Sequence, residues 1–148
     1  MSLPRNRNMK HVAQRKTAGH ASGVSYEVLR TIGDIEAVST EWDLLLNQSP
    51  CNRAFSCSKW FLASVLSDPS FSPYVIIARR GSQIAGILPL VITDDQHTLT
   101  FAGELSDYND MIARETERDV LTGLLSQALF IGKCYDRVVL NRVRRDSN

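Results

Sequence analysis

The sequence predicts a single α/β domain in which helices flank a central, mostly antiparallel mixed sheet. Its length, 148 residues, fits one domain and suffices to bury a core without disulfides. Apolar residues make up 43% of the chain and fall into two patterns. Val24–Arg30 and Tyr74–Ile92 alternate or run solidly apolar, as strands do, whereas other stretches repeat at three- and four-residue spacing, as helices do. YVIIARRGSQIAGILPLVI, beginning at Tyr74, is the clearest segment, two strands around a polar turn.

Residues 1–23 contain few large apolar side chains and no period, and are expected to form a disordered basic tail; the domain is expected to span 24–145. VSYEVLR, Val24–Arg30, reads as the first strand. Asp34 is placed to cap a helix over Ile35–Leu46 by accepting orphan backbone donors, and Ile35, Val38, Trp42 and Leu45 form its buried stripe. Phe55 falls in the loop that follows. Ser56 or Ser58 then caps a shorter helix, Lys59–Leu66, whose apolar residues are Trp60, Phe61, Val65 and Leu66. DPSFSP, with two prolines, reads as a loop.

Arg79–Ser82 is the turn of a hairpin between Tyr74–Ala78 and Ile84–Ile92. Gly86 inside the second strand predicts a bulge or a close backbone approach, and Pro89 predicts that the strand bends or is unpaired there. After Asp94-Asp95 comes a third strand, His97–Phe101, and Met111–Ala113 is a short fourth. Thr116–Ile131 carries the longest helical pattern, with Val120, Leu121, Leu124, Leu125, Ala128 and Leu129 as its stripe. Glu117 and Asp119 suit its first turn, where the helix dipole favours acids, and Gly132 is placed as its C-cap. Arg137–Leu140 is the last strand.

Seventeen Lys and Arg oppose sixteen Asp and Glu, a formal charge of +1, which argues against a dedicated nucleic-acid binder. The bases do cluster at the ends, as Arg5, Arg7, Lys10, Arg15 and Lys16 and as Arg137, Arg142, Arg144 and Arg145. Such ends are either solvated or touch anions and nucleic acid weakly. Cys51, Cys57 and Cys134 show no metal spacing and no disulfide framework, which fits a reducing compartment. With no secretory signal and no apolar run long enough to span a membrane, the expected location is the cytoplasm.

Several segments resemble, in order, the N-terminal part of the CelD-type (cellulose-biosynthesis) acetyltransferases, members of the GNAT superfamily of acyl-CoA N-acyltransferases. They are EWDLL (Glu41–Leu45), Phe55-Ser56 running into Lys59-Trp60-Phe61, the hairpin, FAGELSDYND at the place of an Asp-Tyr-x-Asp signature, and the closing helix and VLNRV strand. The resemblance implies a GNAT-like fold, incomplete on its own, that forms the acceptor-side half of a two-domain acetyltransferase. It also implies acetyl-CoA or another acyl-CoA as cofactor. The phosphate-holding glycine loop of that family lies in its second half, however, and the glycines here stand isolated. This chain is therefore expected not to catalyse alone, and to pair either with a second copy or with a separate protein like the C-terminal half.

The resemblance places Asp107, Tyr108 and Asp110 near the acceptor cleft, and Phe55 could line it. Read from the residues alone, Asp107–Tyr108–Asp110 is a turn, an acceptor contact or the site of a base. His97 lacks an orienting acid and reads as an ordinary histidine. Cys57 would gain reactivity only at the N-terminus of the second helix. The rival reading of the whole chain is a non-enzymatic module for self-association or partner binding.

Overall fold

The computed structural model describes residues 23–93, 97–103, 108–131 and 135–143. Most of the expected tail, the Asp94-Asp95 turn, Asp107, Gly132, Cys134, Arg144 and Arg145 lie outside them. The described chain is an α/β fold, a six-stranded mixed sheet with helices on both faces. Strands run in the order β1 (Val24–Leu29), β2 (Phe71–Arg80), β3 (Gln83–Thr93), β4 (Thr98–Phe101), β6 (Arg137–Val139), and β5 (Ile112–Ala113) also pairs with β3. All pairings are antiparallel except β4 with β6.

β2 and β3 read as almost continuous apolar runs because both faces of the sheet are covered. Val75, Ile77, Ile87 and Ile112 face α1 (Ile32–Asn47) and α3 (Ser58–Ser67). Tyr74, Ile76, Leu88, Leu90 and Leu99 face α4 (Arg118–Ser126). Arg80 pairs with Gln83, so Gly81 and Ser82 form a two-residue turn, with Gly81 at φ +64°. A positive φ of that kind suits glycine.

Gly86 meets both expectations for it. The register shifts beside it, between Ala78 and Arg79 of β2, and a Cβ there would collide with Val120 and lie 3.0 Å from Leu124 Cδ1. Pro89 pairs with Val75 on the β2 side. On the opposite edge, β4 takes Leu90–Thr93 and β5 takes Gly86–Ile87, which leaves Leu88 and Pro89 between them. Proline has no N–H to lose from a ladder, so it stands where the pairing is interrupted. β4 and β5 thus form one interrupted line along β3, and Ala102 and Met111 stand at the two sides of the interruption.

Several boundaries differ from expectation. α1 begins earlier and is capped by Thr31, whose Oγ1 accepts from Asp34 N (3.1 Å) and whose hydroxyl donates to Asp34 Oδ2 (2.7 Å). Asp34 therefore sits in the first turn of the helix it was expected to cap. Phe55 belongs to a short helix, α2 (Arg53–Ser56), capped by Asn52 Oδ1. The expected loop over Asp68–Pro73 ends early, because β2 starts at Phe71. Pro73 is tolerated because β1 reaches only as far as Val75 of β2. Leu66 is 70% exposed, since Phe61 and Val65 take the inward side of α3. α4 starts with Glu117 as its N-cap and passes into a π turn, Gln127–Ile131. The wider turn shifts the phase: Ala128 stays buried, but Leu129 is 56% exposed rather than part of the stripe.

Beyond the C-terminus of α3, Asp68 Oδ1 accepts from the Ser70 hydroxyl (2.7 Å) and from Ser70 N (2.9 Å). Those two bonds, the hydroxyl foremost, hold the Asp68 carboxyl below its usual range. A lowered native pKa favours the fold at pH above the unfolded value and loses that contribution as pH falls through the native one. In Ser70→Ala, the Asp68 midpoint in an NMR pH titration is expected to rise toward the ordinary carboxylate value. An unmoved midpoint would reject the hydroxyl as the cause.

Candidate functional site

The EWDLL stretch divides its labour. Glu41 Oε1 accepts from Ile84 N (2.6 Å) and Oε2 from Arg79 (3.3 Å), tying α1 to the hairpin, and Arg79 also binds Glu27 (2.6 Å). Asp43 accepts from Ser58 N and from the Ser58 hydroxyl, both at 3.0 Å. It thereby caps α3, whose own N-cap residue, Cys57, makes no side-chain cap bond. Cys57 does stand at a helix N-terminus, with its thiol 3.5 Å from Ala54 O. Trp42 is fully buried and donates from Nε1 to Ser56 O at 2.8 Å.

These contacts set α2 and α3 beside the interruption in β3. A pocket there is lined by Trp42, Phe55, Ser56, Trp60, Phe61, Pro89, Phe101, Ala102, Asn109 and Asp110. The space at its centre measures about 10 Å³, room for one water. Trp42 and Phe61 pack with centroids 5.6 Å apart and ring planes tilted by 39°, and Phe55 meets Trp60 edge-on at 5.1 Å. Phe55 and Asp110, far apart in sequence, therefore share one pocket. Tyr108 does not line it and is 43% exposed.

Asn109, not singled out by the sequence reading, anchors the segment. It is buried, its N donates to Arg142 O (3.1 Å) and its Nδ2 to Asn141 O (3.3 Å), and it bridges in parallel to Val143. Alternation was the available signal: Asn109 and Met111 point inward, while Tyr108 and Asp110 stand more open. Asp110 Oδ1 accepts from Met111 N at 2.7 Å, and the Cys51 thiol donates to Met111 O at 3.2 Å. Trp60 is half-buried rather than core. Its Nε1 is enclosed yet has no hydrogen-bond partner. The sequence carries no signal for that, because the orphan arises from how α3 meets Gly103.

Among the described residues the lining therefore offers one carboxylate, one amide already partly engaged, the Ser56 hydroxyl and aromatic walls, and no His, Lys or Arg. It can orient a small polar group. His97 is exposed at the start of β4, with φ +47°. No helix among the described residues is long and apolar enough to cross a membrane. No protein-family model, curated protein or solved structure matches the chain.

Proposed function

We propose that this chain is a GNAT-like acyltransferase-family domain, the acceptor-side half of a two-domain acetyltransferase of CelD type. In this reading the acyl group meets its acceptor beside Pro89, where the pocket has to open beyond its present one-water space. The observation that supports it is the parted edge of β3, because the break in strand pairing opens next to both Phe55 and Asp110. An apolar wall and a single carboxylate suit a short acyl chain and a polar acceptor. Among the described residues no cation lines the pocket, and in this reading the phosphates of acetyl-CoA are held by a second copy or a separate C-terminal-half-like protein.

The test is calorimetry with acetyl-CoA, a longer acyl-CoA and unacylated CoA, after light scattering has established the oligomeric state. The expected result is saturable binding that strengthens with acyl length, is weakest for CoA and falls in Phe55→Ala. Failure of all three to bind in a homogeneous sample would retire this reading. A self-association module is the second reading, supported by Phe130 at 74% and Leu129 at 56% exposure on the π turn and by Val139 and Val143 on and beyond edge strand β6. Under it, light scattering gives an oligomer that Phe130→Ser dissociates.

A further inference from the structure

We propose that the outer flank of α3 is a separate binding site for an uncharged, polyhydroxylated ring, whether or not the chain takes part in acyl transfer. Trp60, Ser64 and Ser67 lie along one side of the helix, Asp68 and Phe71 close one end, and Gly103 lies beside Trp60 at the other. The groove they line has a volume of about 400 Å³, within the range of small-molecule sites. From Trp60 to Asp68 the helix rises about 12 Å.

The polar groups are specific in kind. Ser64 and Ser67 already donate, to Trp60 O and Ser64 O, both at 2.9 Å, so their oxygens face a ligand as acceptors. Asp68 receives Ser70 on Oδ1 alone, which leaves Oδ2 as a third acceptor. Trp60 Nε1 is the donor without a partner. Where a Cβ on Gly103 would stand, at φ +90°, Ser64 Oγ lies 3.1 Å away and Trp60 Nε1 3.7 Å. The indole nitrogen and Ser64 therefore converge at the head of the groove, and because the N–H is enclosed, its bond to a ligand requires the indole to turn.

A hydroxyl donates and accepts through one oxygen, so a ring bearing several can satisfy the three acceptors and the indole together. Its C–H face suits the Trp60 ring. An anion is disfavoured, because the only charged residue among the described residues of the lining is a carboxylate. An ammonium would satisfy Asp68 but leave the indole N–H as it is. Filling that orphan donor recovers part of the penalty for enclosing it.

The two tryptophans give two indole N–H resonances in a proton–nitrogen correlation spectrum, and Trp60→Phe identifies which is which. Titration with myo-inositol and with methyl glucoside is expected to shift the Trp60 indole resonance saturably for at least one of them. The Trp42 resonance, whose N–H is bonded to Ser56 O, should stay in place. Butylammonium and acetate should not produce that shift. Asp68→Asn and exposed Ser67→Ala, both outside the core, should each weaken the polyol, the former about tenfold for loss of a charged acceptor. The proposal is overturned if neither polyol shifts the resonance to saturation, if butylammonium alone does so, or if Asp68→Asn and Ser67→Ala leave the response unchanged.

Discussion

Trp42→Ala should be the most destabilising single truncation in this chain, costing about 3–5 kcal/mol of folding free energy. The side chain is fully buried, packs on Phe61 and holds α2 to α1 through its bond to Ser56 O. Removing it leaves a cavity where the first helical layer meets the sheet and strips the buried carbonyl of its donor. Urea unfolding followed by circular dichroism measures the loss, and a midpoint within experimental scatter of the parent would contradict this placement of Trp42. Trp42→Phe separates the two contributions, since it keeps a ring but not the N–H. Its cost should lie between those of the parent and of alanine.

Gly86→Ala is the second large effect, and it comes from adding atoms. The new Cβ would drive into Val120 and crowd Leu124, both wholly buried on α4. Overpacking of this kind costs about 1–3 kcal/mol. Because the clash has a named partner, it should be non-additive: in a Val120→Ala background the same substitution should cost less, as neighbouring sites in contact couple. Equal costs in both backgrounds would show that α4 does not sit on Gly86. Together the two substitutions probe the two helical layers independently, one on each face of the sheet.

The strands and helices were legible in the sequence wherever pattern and chemistry agreed. The hairpin declared itself through β-branched runs around Gly81-Ser82, and Gly86 and Pro89 announced their irregularities because each residue type has few places in a sheet. The errors are equally physical. A threonine and an aspartate three apart can share one cap, so a cap placed at Asp34 starts α1 later than the Thr31 cap does. The prolines around Phe71 concealed a strand whose pairing on one side begins only later. A π turn cannot be read from apolar spacing, so Leu129 stayed in the stripe on paper. In the site, Phe55 and Asp110 were visible by residue type, but their meeting depends on the break in β3. Asn109 gives no such signal by residue type, although it is buried and Asp110 is not.

The interrupted line along β3 has a consequence for how this architecture tolerates change. Both ends of the segment from Ala102 to Met111 rest on strands already paired to β3. Asn109 is pinned as well, to Arg142 O and Asn141 O, so it is the number of residues between Gly103 and Tyr108 that is uncoupled from the register of the sheet. Doubling a loop so anchored costs only about 0.6 kcal/mol in closure entropy, a small fraction of an ordinary domain's stability. Residues inserted or deleted there would remodel the walls of the pocket while Trp42, Gly86 and the hairpin stayed as they are, so a new ligand preference could be grafted at this position without rebuilding the fold.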